Sequence, residues 1–222
     1  DLCRPAAELL QLQQTLMEQC FPASTVLLPS GAQVAVRQCG QRSGKPSIVL
    51  LHGISSGAAS WLHPALLLAE HHHVLAWDAP GYGESTPLSD TSPSAQAYAE
   101  RLNELLQVQG ITSCVLVGHS LGALMGAAYA AGAGRHCVQR LLLISPAGGY
   151  GAADAADKRE RVRDERRGAL RTLGVDGIAE RIPARLLSDS ASAADRAWVQ
   201  WNASRLHAKG YLQAVELLCN SD

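Results

Sequence analysis

Residues 114–122 read Cys-Val-Leu-Val-Gly-His-Ser-Leu-Gly, an apolar run that ends in a serine between Gly118 and Gly122. A stretch rich in Ala and Gly follows, from about 123 to 133. The pattern predicts a strand, a sharp turn and a helix, with Ser120 at the apex. A serine on so tight a turn sits near sparsely allowed backbone angles. The two glycines remove side chains that would clash where strand and helix cross. The serine oxygen is lifted clear of the sheet, at a helix N-terminus whose free N–H groups can stabilise a developing negative charge. Nucleophilic attack by Ser120 is the chemistry such a placement serves. The competing reading is a glycine-rich turn with a helix-capping serine. The strand before Ser120 and the small-residue helix after it favour the nucleophile.

The elements that must position this serine can be read on both sides of it. Residues 5–20 predict a helix with Leu9, Leu12 and Leu16 on one face, stopped by Pro22. Strands at 25–28 and 33–39, joined by Pro29-Ser30-Gly31, predict a hairpin. The continuous apolar run 48–51 suits a strand buried on both faces. A helix over 62–70 and a strand over 74–77 come next. A helix opened by Ser92 and Pro93 buries Tyr98, Leu102, Leu105 and Leu106, and Gly110 closes it. A further strand spans 139–145. From 47 to 146 the order is therefore β-α-β-α-β-α-β, with crossovers long enough to cover a parallel sheet on both faces. The loops 52–57, 78–85, 118–122 and 146–151 all leave carboxyl ends of strands, where such sheets bind ligands.

After Gly151 no strand-like run appears. Residues 157–171 hold seven basic and four acidic side chains and predict a solvated, salt-bridged helix rather than a nucleic-acid patch. A short helical piece over 178–187, interrupted by Pro183, comes next. Another follows a cap at Ser190 or Ser192 and carries Trp198 and Trp201, and a last one follows Gly210 with Tyr211, Val215 and Leu218. The two tryptophans can line a substrate cavity or pack these helices onto the body.

The bulk composition narrows the classes of function. The chain has 222 residues and a net charge of −1 from 19 basic and 20 acidic side chains, which points to neither nucleic acid nor an anionic membrane. No run of 18 apolar residues occurs, so no membrane span is expected. The N-terminus lacks the basic-then-apolar pattern of a secretory signal. It also starts at Asp1 rather than Met, so we expect the numbering to be trimmed. Cys3, Cys20, Cys39, Cys114, Cys137 and Cys219 are scattered without C-x-x-C pairs, as expected of free thiols in a reducing cytoplasm. His71-His72-His73 lacks a matching carboxylate or cysteine cluster, so no metal is expected. No strand is followed by a phosphate-cradling glycine motif, and no cofactor is expected.

Three motifs in order, His52-Gly53, Asp78-Ala-Pro-Gly-Tyr-Gly-Glu-Ser85 and Gly118-His-Ser-Leu-Gly122, resemble those of the α/β-hydrolases. The resemblance covers about 24–150 closely and the rest only in its helical character. It implies an α/β fold, a mostly parallel sheet with helices on both faces plus a helical cap. The expected parts are an N-terminal helix (1–22), a hydrolase core (23–150) and a cap (151–222). Ser120 would be the nucleophile, and the backbone N–H groups of Ile54 and Leu121 the oxyanion hole. His52 would brace the loop presenting Ile54. Gly53, Ser55, His119, Trp198 and Trp201 are candidates for the substrate pocket, and Asp78 for loop architecture.

In this family the triad acid and histidine follow later strands. Within these 222 residues Asp154 and Asp157 come too early and Asp222 lies too close to the cap. His207 lacks the Gly-His context. We therefore expect the last two strands, with the triad Asp and His, outside this stretch. The implied activity is hydrolysis of an ester, lactone or thioester of a small to medium, fairly apolar substrate. The loop Gly53-Ile-Ser-Ser-Gly57 differs from the Gly-Gly-Pro-Gly of proline iminopeptidases. A serine nucleophile differs from the aspartate of haloalkane dehalogenases and epoxide hydrolases. Carbon–carbon bond hydrolysis and cofactor-free perhydrolysis are the nearest alternatives, and a non-catalytic ligand-binding protein is the alternative of another class. The expected partner is a small-molecule substrate. The oligomeric state is not legible.

Overall fold

The computed structural model describes residues 6–222. Six strands form one sheet: β1 (Ala23–Leu27), β2 (Gln33–Cys39), β3 (Ser47–Leu51), β4 (Val74–Trp77), β5 (Cys114–His119) and β6 (Val138–Ile144), in the order β1-β2-β4-β3-β5-β6. β1 and β2 form the expected antiparallel hairpin, and β2 lies antiparallel to β4. The pairs β3–β4, β3–β5 and β5–β6 are parallel. This is the mostly parallel α/β sheet that the alternation of elements predicts.

β3 and β4 are buried at every position, which explains their unbroken apolar sequence. Successive side chains point to opposite faces. Val49, Leu51, Leu75, Trp77 and Leu116 join one core with α3 (Ala95–Val108) and α4 (Leu121–Ala131). Ile48, Leu50, Val74, Ala76 and Val117 join a second, with α2 (Leu62–Ala69) and the 3-10 turn Ala58–Trp61. Helices therefore cover both faces. α3 starts where the Ser94 hydroxyl accepts the Ala97 N–H, just after the Ser92-Pro93 read as its opening.

The first helix, α1 (Ala6–Cys20), forms but presents a different face from the expected one. Leu12 and Leu16 are 48% and 37% exposed, whereas Met17 is buried and Leu10 packs against the same core. The predicted leucine stripe loses because the end of α1 is anchored elsewhere. The buried Arg37 guanidinium donates to the Phe21 carbonyl at 2.8 Å and to Glu18 at 2.8 Å, and this rotates Met17 inward.

The region after Gly151 is helical. α5 (Ala156–Leu186) holds the two helical pieces that the sequence suggests, joined across a kink. Its break lies at Gly174, with φ 65° and ψ −174°, and not at Pro183, which the helix absorbs. Pro183 sits on the buried side of the second arm with Ile178, Ala179 and Ile182, whose burial holds the helix together there. α6 (Ala193–Ser204) starts at Ser192, where Ser192 and Asp195 form a reciprocal capping box. α7 (Ala208–Asn220) starts before Gly210 rather than after it. Gly210 is needed inside the first turn, because a Cβ there would stand 1.9 Å from the Gly81 carbonyl oxygen.

β6 ends the sheet. Leu141, Leu142, Leu143 and Ile144 on it are 37–47% exposed. No strand pairs with its outer edge among the described residues.

Candidate active site

Ser120 sits at the turn between β5 and α4 with φ 52° and ψ −114°, a conformation that costs a non-glycine residue of order 1–3 kcal/mol. The surroundings enforce it. The Ser120 N–H donates to the Ile144 carbonyl at 3.0 Å, and the Ser120 carbonyl accepts from the Ala123 and Ala147 N–H groups at 3.0 and 3.1 Å. Ser145, at the end of β6, is the second non-glycine residue with positive φ (43°). Crowding fixes the two glycines of the motif. A Cβ at Gly118 would stand 2.6 Å from the Gly122 carbonyl oxygen, and one at Gly122 would stand 2.5 Å from that of Leu51. The Ser120 hydroxyl is partly exposed and takes no hydrogen bond among the described residues.

The Leu121 N–H is the first of α4 and has no acceptor within the helix. The Ile54 N–H has no acceptor among the described residues either. The loop carrying Ile54 lies against the serine, since a Cβ at Gly53 would meet the Ser120 Cβ at 3.2 Å and the His119 Nδ1 at 3.4 Å. Ser55, partly exposed, stands on the same loop.

Four buried side chains hold that loop. His52 Nδ1 donates to the Gly53 carbonyl at 2.8 Å, and His52 Nε2 accepts the Ala79 N–H at 3.0 Å, which fixes the neutral tautomer. Burial pushes the His52 pKa down, against the opposing charge of Asp78. Asp78 Oδ1 accepts the Ala58 N–H at 2.7 Å and ties the loop after β4 to the loop after β3. The Ser85 hydroxyl donates to the Asp78 carbonyl at 2.6 Å. The Tyr82 hydroxyl donates to the Ile54 carbonyl at 2.7 Å. Tyr82 lies in the loop 78–85 and is not among the candidate residues named from the sequence. Its signal was the lone aromatic between Gly81 and Gly83.

His119 is half-buried, stands edge-on to Trp61 with ring centroids 6.4 Å apart, and has its pKa lowered by burial. Trp61 was not singled out in the sequence. Trp198 and Trp201 stack on each other at 5.0 Å, and Trp198 is buried with Met17, Phe21, Ala58 and Ala59. This pair packs α6 onto α1 and the 3-10 turn, the second of its two sequence readings. His207 caps α7, and its Nε2 lies 2.8 Å from the Gly83 carbonyl oxygen, which occupies it as a donor. No group of three His, Cys, Asp or Glu is arranged to hold a metal among the described residues.

The model of the alpha/beta hydrolase family matches residues 48–218. The chain belongs to this family. Lipase 1 of Psychrobacter immobilis is 32% identical over 129 residues, 58% of this chain and 40% of that protein. Epoxide hydrolase 4 of Mus musculus is 33% identical over 97 residues, 43% of this chain and 27% of that protein. The chain thus spans less than half the length of these curated relatives. Among solved structures, the enol-lactonase from Burkholderia xenovorans LB400 matches with a TM-score of 0.75 at 21% identity, covering 90% of this chain and 74% of that one. The esterase EaEST from Exiguobacterium antarcticum matches with a TM-score of 0.76 at 18% identity, with the same two coverages. At these identities the structural likeness is one of alpha/beta hydrolase fold. No helix among the described residues is long and apolar enough to cross a membrane.

Proposed function

We propose that the chain is the nucleophile-bearing part of a serine hydrolase acting on a carboxylic ester, lactone or thioester. The observation that carries this reading is the strained Ser120 backbone, locked by Gly118 and Gly122 with its hydroxyl left unbonded. The Ser120 oxygen attacks the substrate carbonyl while a histidine base takes its proton. The oxyanion gathers against the Leu121 and Ile54 N–H groups, donors that in comparable sites are each worth about 2.7–4 kcal/mol. The carbonyl–oxygen (or sulfur) bond then breaks, the alcohol (or thiol) leaves with the proton, and water hydrolyses the acyl-enzyme by the same route.

His119 adjoins the nucleophile along β5, and His207 is occupied by Gly83, so neither is assigned as base. The base and its orienting carboxylate belong on strands that pair with the open edge of β6. α5, α6 and α7 form the cap. Relatives named a lipase, an esterase and an enol-lactonase support acyl chemistry. The free thiols Cys20, Cys39, Cys114, Cys137 and Cys219 suit a reducing compartment such as the cytoplasm.

A fluorophosphonate probe tests the assignment. The full-length protein should gain one adduct, on Ser120, and turn over 4-nitrophenyl esters. Ser120→Ala should abolish both. Turnover retained by Ser120→Ala sinks the reading in favour of a different nucleophile. The absence of both adduct and turnover in the full-length protein favours a non-catalytic ligand-binding role.

A further inference from the structure

The break at Gly174 folds α5 into two arms, 156–173 and 175–186. Residues of both arms, with Tyr150 and Tyr211, line a cavity of about 390 Å³. Arg166 enters it from the first arm, and Arg181 and Arg185, four apart on one side of the helix, enter from the second. Two other arginines of the first arm are neutralised. Arg163 and Arg167 bind the buried carboxylate of Glu216, at 3.1 and 2.7 Å. The three cavity arginines have no ion pair among the described residues, and Arg166 donates only to the Tyr211 hydroxyl at 3.4 Å. Glu165 is the one acidic side chain in the lining, so the cavity keeps an excess of two positive charges. Val162, Ile178 and Ile182 supply an apolar wall. Through Tyr211 the cavity reaches the loop after β4, because Gly210 meets Gly81 backbone to backbone. Tyr211 shares a buried cluster with Tyr82, whose hydroxyl holds the Ile54 carbonyl.

We propose that this cavity receives a free carboxylate at the end of a short hydrocarbon chain, so that the substrate is a monoester or lactone of a dicarboxylic acid. Guanidinium groups suit a carboxylate because they offer paired donors in a planar fork. The apolar wall suits the methylenes between that carboxylate and the scissile carbonyl. This sharpens the apolar substrate expected from the sequence by giving it one charged end. The turnover part of the proposal rests on the serine hydrolase reading, whereas the binding part does not.

The test uses the full-length protein and the double variant Arg181→Gln/Arg185→Gln, both changes being at exposed positions. Two substrates are compared, the mono-4-nitrophenyl ester of glutarate and the 4-nitrophenyl ester of pentanoate. Glutarate binding is measured by calorimetry in parallel. The double variant should lose about tenfold or more in kcat/KM on the glutarate ester and stay within about twofold on the pentanoate ester. It should also lose glutarate binding, and Arg171→Gln, outside the cavity, should change neither. An unchanged ratio between the esters, or no glutarate binding by the unaltered protein, overturns the proposal. If neither ester is turned over but glutarate binding is present and lost in the double variant, the hydrolase reading fails and the carboxylate site stands.

Discussion

Gly122 has no room for one more carbon. Gly122→Ala drives a methyl into the Leu51 carbonyl oxygen, which cannot retreat because β3 is hydrogen-bonded on both sides. The substitution should cost about 1–3 kcal/mol or more, read as a lowered midpoint in a urea melt. Tyr82→Phe removes the donor to the Ile54 carbonyl while keeping the ring packed on His52 at 4.8 Å. It should cost about 0.5–1.5 kcal/mol in stability. It should also slow fluorophosphonate labelling, because the oxyanion loop loses its outer brace; an unchanged labelling rate would show that His52 and Asp78 hold the loop alone. Burial lowers the pKa values of His52, His73 and His119 from an ordinary value of 6.5. Below about pH 6.5 the unfolded chain therefore binds protons that the folded chain refuses. Stability should be full above that pH and fall as the solution is acidified through it, which melts at pH 7.5, 6.5 and 5.5 would follow.

α1 is the element whose existence was legible and whose orientation was not. Three leucines at helical spacing outline a plausible stripe, yet Met17 is the residue that goes inside, because Arg37 on β2 captures the last turn through Glu18 and the Phe21 carbonyl. A contact between residues so far apart in sequence leaves no local trace. The same holds for Tyr82, whose partner Ile54 lies 28 residues upstream. The sheet was legible because β3 and β4 are apolar throughout, and the serine turn because Gly118 and Gly122 are required by their own neighbours. Pro183 misled because burial of its face outweighs one missing hydrogen bond, whereas the gap left between the pieces 157–171 and 178–187 holds the Gly174 break. Met17→Ala should cost about 2–5 kcal/mol, since Met17 is fully buried in the cluster that also holds Trp198. Intrinsic tryptophan fluorescence should report the change, because the stacked Trp198 and Trp201 lie at that seam.

At the scale of the whole molecule the sheet is asymmetric. Its β1 edge is a short strand exposed at Ala23, Ser24, Thr25 and Leu27, whereas its β6 edge presents four consecutive apolar residues and a row of backbone groups unpaired among the described residues. Such an edge templates association. The 222-residue chain alone should therefore self-associate with concentration in light scattering, and Leu142→Lys should suppress this. The helices on the other side are bound unequally. Gly81 and Gly210 meet backbone to backbone, and Gln213 clamps Leu88 and Asp90, so α7 is keyed to the body. The ion pairs of Glu216 fasten the first arm of α5 to α7. The second arm is held from another side, by the burial of Ile178, Ala179, Ile182 and Pro183, and α6 after it packs Trp198 onto α1. The backbone angles of Gly174 alone then set how far Arg181 and Arg185 stand from Arg166, so a single residue without a side chain gauges the span of an anion's grip.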